Sequence, residues 1–249
     1  MSSYQLATHV CACWTDDHVV LLDLRQNRYL GIDAAASRAL GELIDDWPGA
    51  GPVSQPPPDP NGSSTGSASK LISEMLKHGM IVTSTSKQSR IHARTTLEFP
   101  ESGLQDEYPQ SQPSINIIDI VNFLHAVVIA SFMLRYRPLK RVVERLENRT
   151  RHATAAVLRP KTARLDTVNV RERVAVFERL QPFVFTARSA CLLHSLALSE
   201  FLARYQLFPR FVIGVSTGPF AAHCWLQQGT VVFNDLPEHA RKFTPIMVR

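Results

Sequence analysis

The sequence predicts an α+β fold in two domains, a small winged-helix-like domain followed by a larger one. Three observations carry that prediction. Residues 10–83 read as three strands, a helix, a loop, a second helix and a strand. Residues 84–114 are rich in Ser, Thr, Gln and Pro and hold no periodic apolar pattern. From Ile115 onward, helical runs come first and a set of short strands follows, so helices and strands are segregated along the chain. The expected division is therefore a first domain over residues 1–86, a linker over 87–114 and a second domain over 115–249.

Composition fits folded domains. Of the 249 residues, 45% are apolar and 20% charged, which excludes a collagen-like or wholly disordered chain. Cys11, Cys13, Cys191 and Cys224 are too few and too unevenly spaced for a secreted disulfide framework. A reducing, cytoplasmic compartment is expected, because Met1–Asp17 lacks a basic start and an apolar run ending at small residues. The formal charge of +5 is unevenly divided: residues 1–90 carry 7 Lys and Arg against 9 Asp and Glu, and the rest carries 20 against 13. The basic excess clusters between Arg135 and Arg179, where it reads either as solvated helix faces or as a site for an anionic partner. Nucleic acid is not expected, because the small first domain that would read it has an acidic balance.

The elements follow in order. His18–Leu24 is a β-rich run, Arg25–Arg28 supplies a turn, and Tyr29–Ile32 runs back. Asp33 can cap a helix over Ala34–Asp46, which Trp47-Pro48-Gly49 ends. Residues 49–69 carry a Pro run and a Gly/Ser run, so no helix is expected before about Ser69. Gly62–Lys70 superficially suggests a phosphate loop but lacks the adjacent Gly-Lys-Ser/Thr. Leu71, Ile72, Met75 and Leu76 then share a helical face, with Gly79 as its C-terminal cap. Ile115–Leu134 is long and apolar enough to raise the question of a membrane span. Asp119, Asn122 and His125 lie within it, so a buried helix is expected, with His125 a hydrogen-bonded core residue and no stable membrane insertion. Leu139–Asn148 and Val170–Leu180 continue as amphipathic helices.

The chemistry lies in the last sixty residues. Ser189 can cap a helix running to Arg204, which puts Cys191 in its first turn, with Arg188 nearby. The free N–H groups and positive dipole end there favour a thiolate. Phe211–Val215 reads as a buried strand, Phe220–Leu226 returns after a turn, and Val231–Asp235 follows a second turn. If that second loop is Gln228, Gly229 and Thr230, Trp225 faces Phe233 and His223 faces Asp235. A two-residue loop would slip the register by one and turn Asp235 to the other face. The expected catalytic set is Cys191 as nucleophile, His223 as its proton partner and Asp235 as the orienter of the ring. No G-x-S-x-G is present.

Cys191-Leu-Leu-His-Ser-Leu-Ala-Leu, Phe211-Val-Ile-Gly-Val, Phe220-Ala-Ala-His-Cys-Trp and Val231-Val-Phe-Asn-Asp resemble the transglutaminase-like cysteine protease domain of the lasso peptide biosynthesis B proteins. The usual family forms are C-L-x-R-S-L-x-L and F-x-A-H-A-W. This chain departs from them with His194 for the arginine and Cys224 for the second alanine. The first domain resembles the PqqD-like element that binds leader peptides of ribosomally made, modified peptides. The two resemblances together imply a papain/transglutaminase-like leader peptidase. They also imply a leader strand added to the edge of the small sheet, with Tyr29, Leu30, Leu71 and Met75 lining its groove. The implied partners are the precursor peptide and a separate ATP-dependent cyclase resembling asparagine synthetases. No cofactor is expected, and no metal: Cys11 and Cys13, with His9 and His18 nearby, lack a second C-x-x-C pair and read as core. Two rival readings are acyl transfer to an amine from the same cysteine and a non-catalytic peptide- or DNA-binding module.

Overall fold

The computed structural model describes residues 4–15, 18–49, 64–83, 97–104, 113–157, 167–185 and 191–249, with the side chains of 64–68, 152–157 and 167–168 left aside. It divides into two compact units. One comprises Met1–Thr96 with Val215–Ala221 and Thr244–Met247, and the other Leu97–Gly214 with Ala222–Phe243 and Val248–Arg249.

In the first unit, β1 (Tyr4–Leu6) pairs with β5 (Ile81–Thr83), while β2 (Val10–Thr15), β3 (His18–Asp23) and β4 (Arg28–Asp33) form an antiparallel sheet in that order. Strand β1, which closes the N-terminus onto β5, was not legible in the sequence. Helix α1 covers Ala34–Gly41 and stops five residues short of expectation. Its cap is as predicted, with Asp33 accepting from the Ala36 N–H at 2.9 Å. Helix α2 spans Ser64–Lys77, so it begins about five residues earlier than predicted and takes in the Gly/Ser run. Residues with weak helix propensity join a helix whose apolar face, Ile72 and Met75, is anchored in the core. Gly79 ends the turn at φ +66, a conformation that favours glycine. Cys11 and Cys13 are buried on β2, and burial pushes the Cys13 thiol up to about 12.

The second unit is helical first. It contains α3 (Ile117–Tyr136), α4 (Leu139–Val157), α5 (Thr167–Leu180), a single 3-10 turn over Gln181–Phe183, and α6 (Cys191–Ala203). Helix α3 opens on a capping box in which Asn116 accepts from the Asp119 N–H and Asp119 from the Asn116 N–H. Asp119 is buried and is bound by Arg173 at 2.8 Å and by the Tyr205 hydroxyl. The expectation of a buried α3 is met on one side only. Phe123, Ala126, Ala130 and Met133 face the core, whereas Ile117, Val121, Leu124, Val128 and Phe132 are exposed. His125 is likewise on the exposed side, held by Arg204 rather than in the core. Part of the basic excess is spent internally: Arg145 and Arg149 converge on the buried Glu200 of α6, and Arg173 on Asp119.

The sheet of this part runs β10 (Thr244–Val248), β7 (Arg210–Thr217), β8 (Phe220–Gln228), β9 (Val231–Val232), β6 (Ser102–Gly103), and the one-turn helix α7 (Pro237–Ala240) follows β9. Residues 97–104 were expected as linker but join this unit, with β6 parallel to β9. Arg241 fastens the segment by donating to the Pro100 carbonyl at 2.6 Å, and Gln227 donates to that of Glu98 at 2.7 Å. Gly214 on β7 has no room for a side chain. A Cβ there would stand 2.8 Å from the indole of Trp225 and from the Cβ of Phe243.

Candidate active site

Cys191 is the first residue of α6, half-buried where the helix N–H groups are open. Ser189 and Arg188, predicted to cap and charge this end, lie outside the described residues. Below Cys191, α6 is buried along Leu196, Ala197, Leu198 and Phe201, and the helix packs against α3 and α5. Ser195, Ser199 and Glu200 are buried along with them. Ser195 is fully buried and donates to the Cys224 carbonyl at 2.9 Å, tying the turn after Cys191 to β8.

His223 lies on β8, where alternation puts it on one face with Trp225 and Gln227. The indole stacks on the imidazole at 6.0 Å between centroids and donates to Gln227 at 2.9 Å, and Phe243 closes the other flank at 5.1 Å. His223 Nε2 donates to Asp235 Oδ2 at 2.7 Å, which leaves Nδ1 for the cysteine side.

Asp235 reaches His223 by a different route from the one predicted. Gln227 pairs with Val232 and Gln228 with Val231, so the loop is two residues, Gly229 and Thr230, and the register is slipped by one. Trp225 therefore does not face Phe233, whose N–H instead donates to the Leu226 carbonyl. The slip does not turn Asp235 away because β9 ends at Val232, and the chain bends through Phe233–Asp235. Asn234 makes the bend possible. Its Oδ1 accepts from the Leu226 N–H at 2.8 Å, replacing a ladder bond, and its Nδ2 donates to Ser195 Oγ at 2.9 Å and to His194 Nδ1 at 3.3 Å.

His239, which the sequence reading did not single out, and His194, noted there only as a departure from the family form, complete the site. His239, one turn after Asp235 on α7, donates from Nδ1 to Asp235 Oδ2 at 2.9 Å, and the Leu236 N–H binds Oδ1 at 2.8 Å. His194 donates from Nε2 to Gln181 at 2.6 Å, and burial lowers its pKa, so a neutral ring bridges the 3-10 turn and Asn234. The spacing of His239 from Asp235 and of Ser195 from Cys191, four residues each, was the signal available for those two residues.

The electrostatics favour an ion pair. Hydrogen bonding from the Cys224 thiol and from His223 outweighs burial and takes Cys191 down to about 4. Burial opposes the charged form of His223, but its bonds to Asp235 and Cys191 prevail and raise it to about 9. Burial alone would raise Asp235, yet the donors His223, His239 and Leu236 N–H hold its carboxyl below the usual range. Cys224 moves the other way, pushed up by the neighbouring Cys191 and by burial. The set can thus hold a nucleophilic thiolate, a proton donor and an anionic orienter together near neutral pH. Donor atoms of His223, Asp235 and His239 lie within 4.8 Å of one another, a grouping that could hold a metal ion, though in this structure they bond to each other.

The comparisons point the same way. Residues 133–248 match the model of the transglutaminase-like superfamily. Over 59 residues the chain is 39% identical to the microcin J25-processing protein McjB of Escherichia coli, a stretch covering 24% of this chain and 28% of that protein. The chain thus matches little more than a quarter of that relative's length. No solved structure matches the chain. The two matches support identification with the B proteins of lasso peptide biosynthesis, in an α+β setting.

The residues expected to line a leader groove are dispersed in character. Met75 is buried in the core of the first unit and Leu71 packs against it. Leu30 is exposed on β4, an edge strand among the described residues, and Tyr29 meets the ring of Phe220 edge-on at 5.4 Å.

Proposed function

We propose that the chain is a cysteine endopeptidase of lasso peptide maturation that removes the leader from a precursor peptide in the cytoplasm. The observation that carries this reading is the bond from His223 Nε2 to Asp235, which frees Nδ1 for a thiol already lowered to about 4. The Cys191 thiolate attacks the carbonyl joining leader and core, and the backbone N–H groups at the start of α6 receive the oxyanion. His223 then gives its proton to the leaving amine, so the core departs with a free N-terminus and the leader stays as a thioester. Water attacks the thioester, His223 takes up its proton, and the leader leaves as a carboxylic acid. Asp235 keeps the ring in one tautomer throughout and supports its positive form.

In this reading residues 1–86 are a PqqD-like recognition domain. The leader adds as a strand to the open edge of β4 beside Tyr29 and Leu30, with Leu71 and Met75 supporting the surface from α2. The freed amine becomes the substrate of a separate ATP-dependent cyclase. The test is mass spectrometry of a lasso precursor peptide incubated with the protein. Cleavage at one bond, yielding a leader acid and a core amine, is the expected result, and an intact peptide would refute the reading. The superfamily match gives a second reading some standing: if an amine, not water, resolves the thioester, the leader fragment appears as an amide of correspondingly different mass.

A further inference from the structure

The exposed side of α3 plays no part in the chemistry above. Ile117, Val121, Leu124, Val128 and Phe132 recur every three or four residues and are each at least 50% exposed, so they form one apolar stripe. At 1.5 Å per residue the stripe is about 25 Å long. Between Ile117 and Leu134 the helix has one charged residue, Asp119, and it is buried on the opposite side against Arg173. The stripe ends in aromatic and basic groups. Phe132 and Tyr136 pack together at 4.9 Å, and Arg135, Arg137 and Arg141 stand exposed beside them with no carboxylate partner among the described residues. Those three arginines belong to the part of the basic excess that Glu200 and Asp119 do not absorb.

We propose that α3 docks the protein on a membrane surface carrying anionic lipid, lying in the plane of the interface. The apolar stripe matches the acyl boundary, Phe132 and Tyr136 suit the headgroup level, and the unpaired arginines match lipid phosphates. A protein partner would need charged and polar groups along the contact to set its register, and this side offers no charged residue of α3 between Ile117 and Leu134 and few polar ones, His125 and Ser131, whereas a bilayer needs none. Helix α3 is long and apolar enough to cross a bilayer by composition. Crossing would require pulling Phe123, Ala126, Ala130 and Met133 out of their packing and Asp119 from its bonds to Arg173 and Tyr205. The helix therefore lies on the membrane and does not span it.

The test is co-sedimentation of the full chain with vesicles of phosphatidylcholine alone and of phosphatidylcholine mixed with phosphatidylglycerol. The expected result is at least about fivefold more protein on the anionic vesicles, falling as salt is raised. Two variants locate the contact, Val121→Gln with Val128→Gln and Phe132→Gln, and Arg135→Gln with Arg137→Gln and Arg141→Gln. Both should lose anionic-vesicle binding at an unchanged unfolding temperature, since every position is exposed. Equal partition to the two vesicle types, or binding that survives both variants, would overturn the proposal. So would a wild-type dimer in light scattering that the stripe variant converts to monomer, which would make a second copy the occupant.

Discussion

Asp235 Oδ2 accepts from His223 Nε2 at 2.7 Å although the strand leading to Asp235 ends three residues earlier, at Val232. The pair is set by a bend, and Asn234 holds the bend by taking the Leu226 N–H that a ladder carbonyl would have taken. Replacing Asn234 with Ala leaves that N–H and the Ser195 hydroxyl short of a partner. A loss of about 1–3 kcal/mol in denaturant unfolding is expected, together with a lower kcat as Asp235 loses its position. Unchanged stability with unchanged turnover would remove Asn234 from the account.

Asp235→Asn should fold normally and lose turnover by on the order of 10²- to 10⁴-fold, because the amide can present the wrong group to Nε2. His239→Gln should cost less, since the Leu236 N–H and His223 still hold the carboxylate. Steady-state cleavage of the precursor, with circular dichroism as the check on folding, reads both.

The ion pair sets a pH window. Cys191 is a thiolate above about 4 and His223 is protonated below about 9, so alkylation of Cys191 by iodoacetamide should rise near the lower value. Cleavage should fall at high pH as the imidazolium is lost. Cys224→Ala removes the largest contribution holding Cys191 down, and the alkylation limb should move to higher pH while cleavage persists at neutral pH. A limb that stays in place would show that the Cys224 thiol does not act on Cys191.

Gly214→Ala tests the wall behind His223. The new methyl would meet the Trp225 indole at 2.8 Å, so stability should fall by about 1–3 kcal/mol in thermal or denaturant unfolding. A variant as stable as the wild type would show that Trp225 moves freely.

What the sequence made legible was local. The Asp33 cap, the antiparallel run of β2 to β4, the Gly79 stop and the placing of Cys191 at a helix start depend on near-neighbour chemistry, and the structure has them. The β8–β9 register depended on whether Gln228 belongs to strand or loop, and two hydrogen bonds from Gln227 to Glu98 and Gly229 settle it in favour of the strand. Glu98 lies more than a hundred residues away in a segment read as linker, so no local pattern could reveal that choice. Helix α3 misled for a related reason. Its apolar content is nearly uniform around the axis, so periodicity could not separate the buried side from the exposed one.

The most direct test of the central claim is intact-protein mass spectrometry of a rapidly quenched reaction with the precursor peptide. The account predicts a transient adduct of the leader's mass less one water, mapped by digestion to the peptide containing Cys191 and absent from Cys191→Ala, which should cleave nothing. Cleavage by Cys191→Ala at the wild-type rate, or an adduct on any other residue, would contradict it.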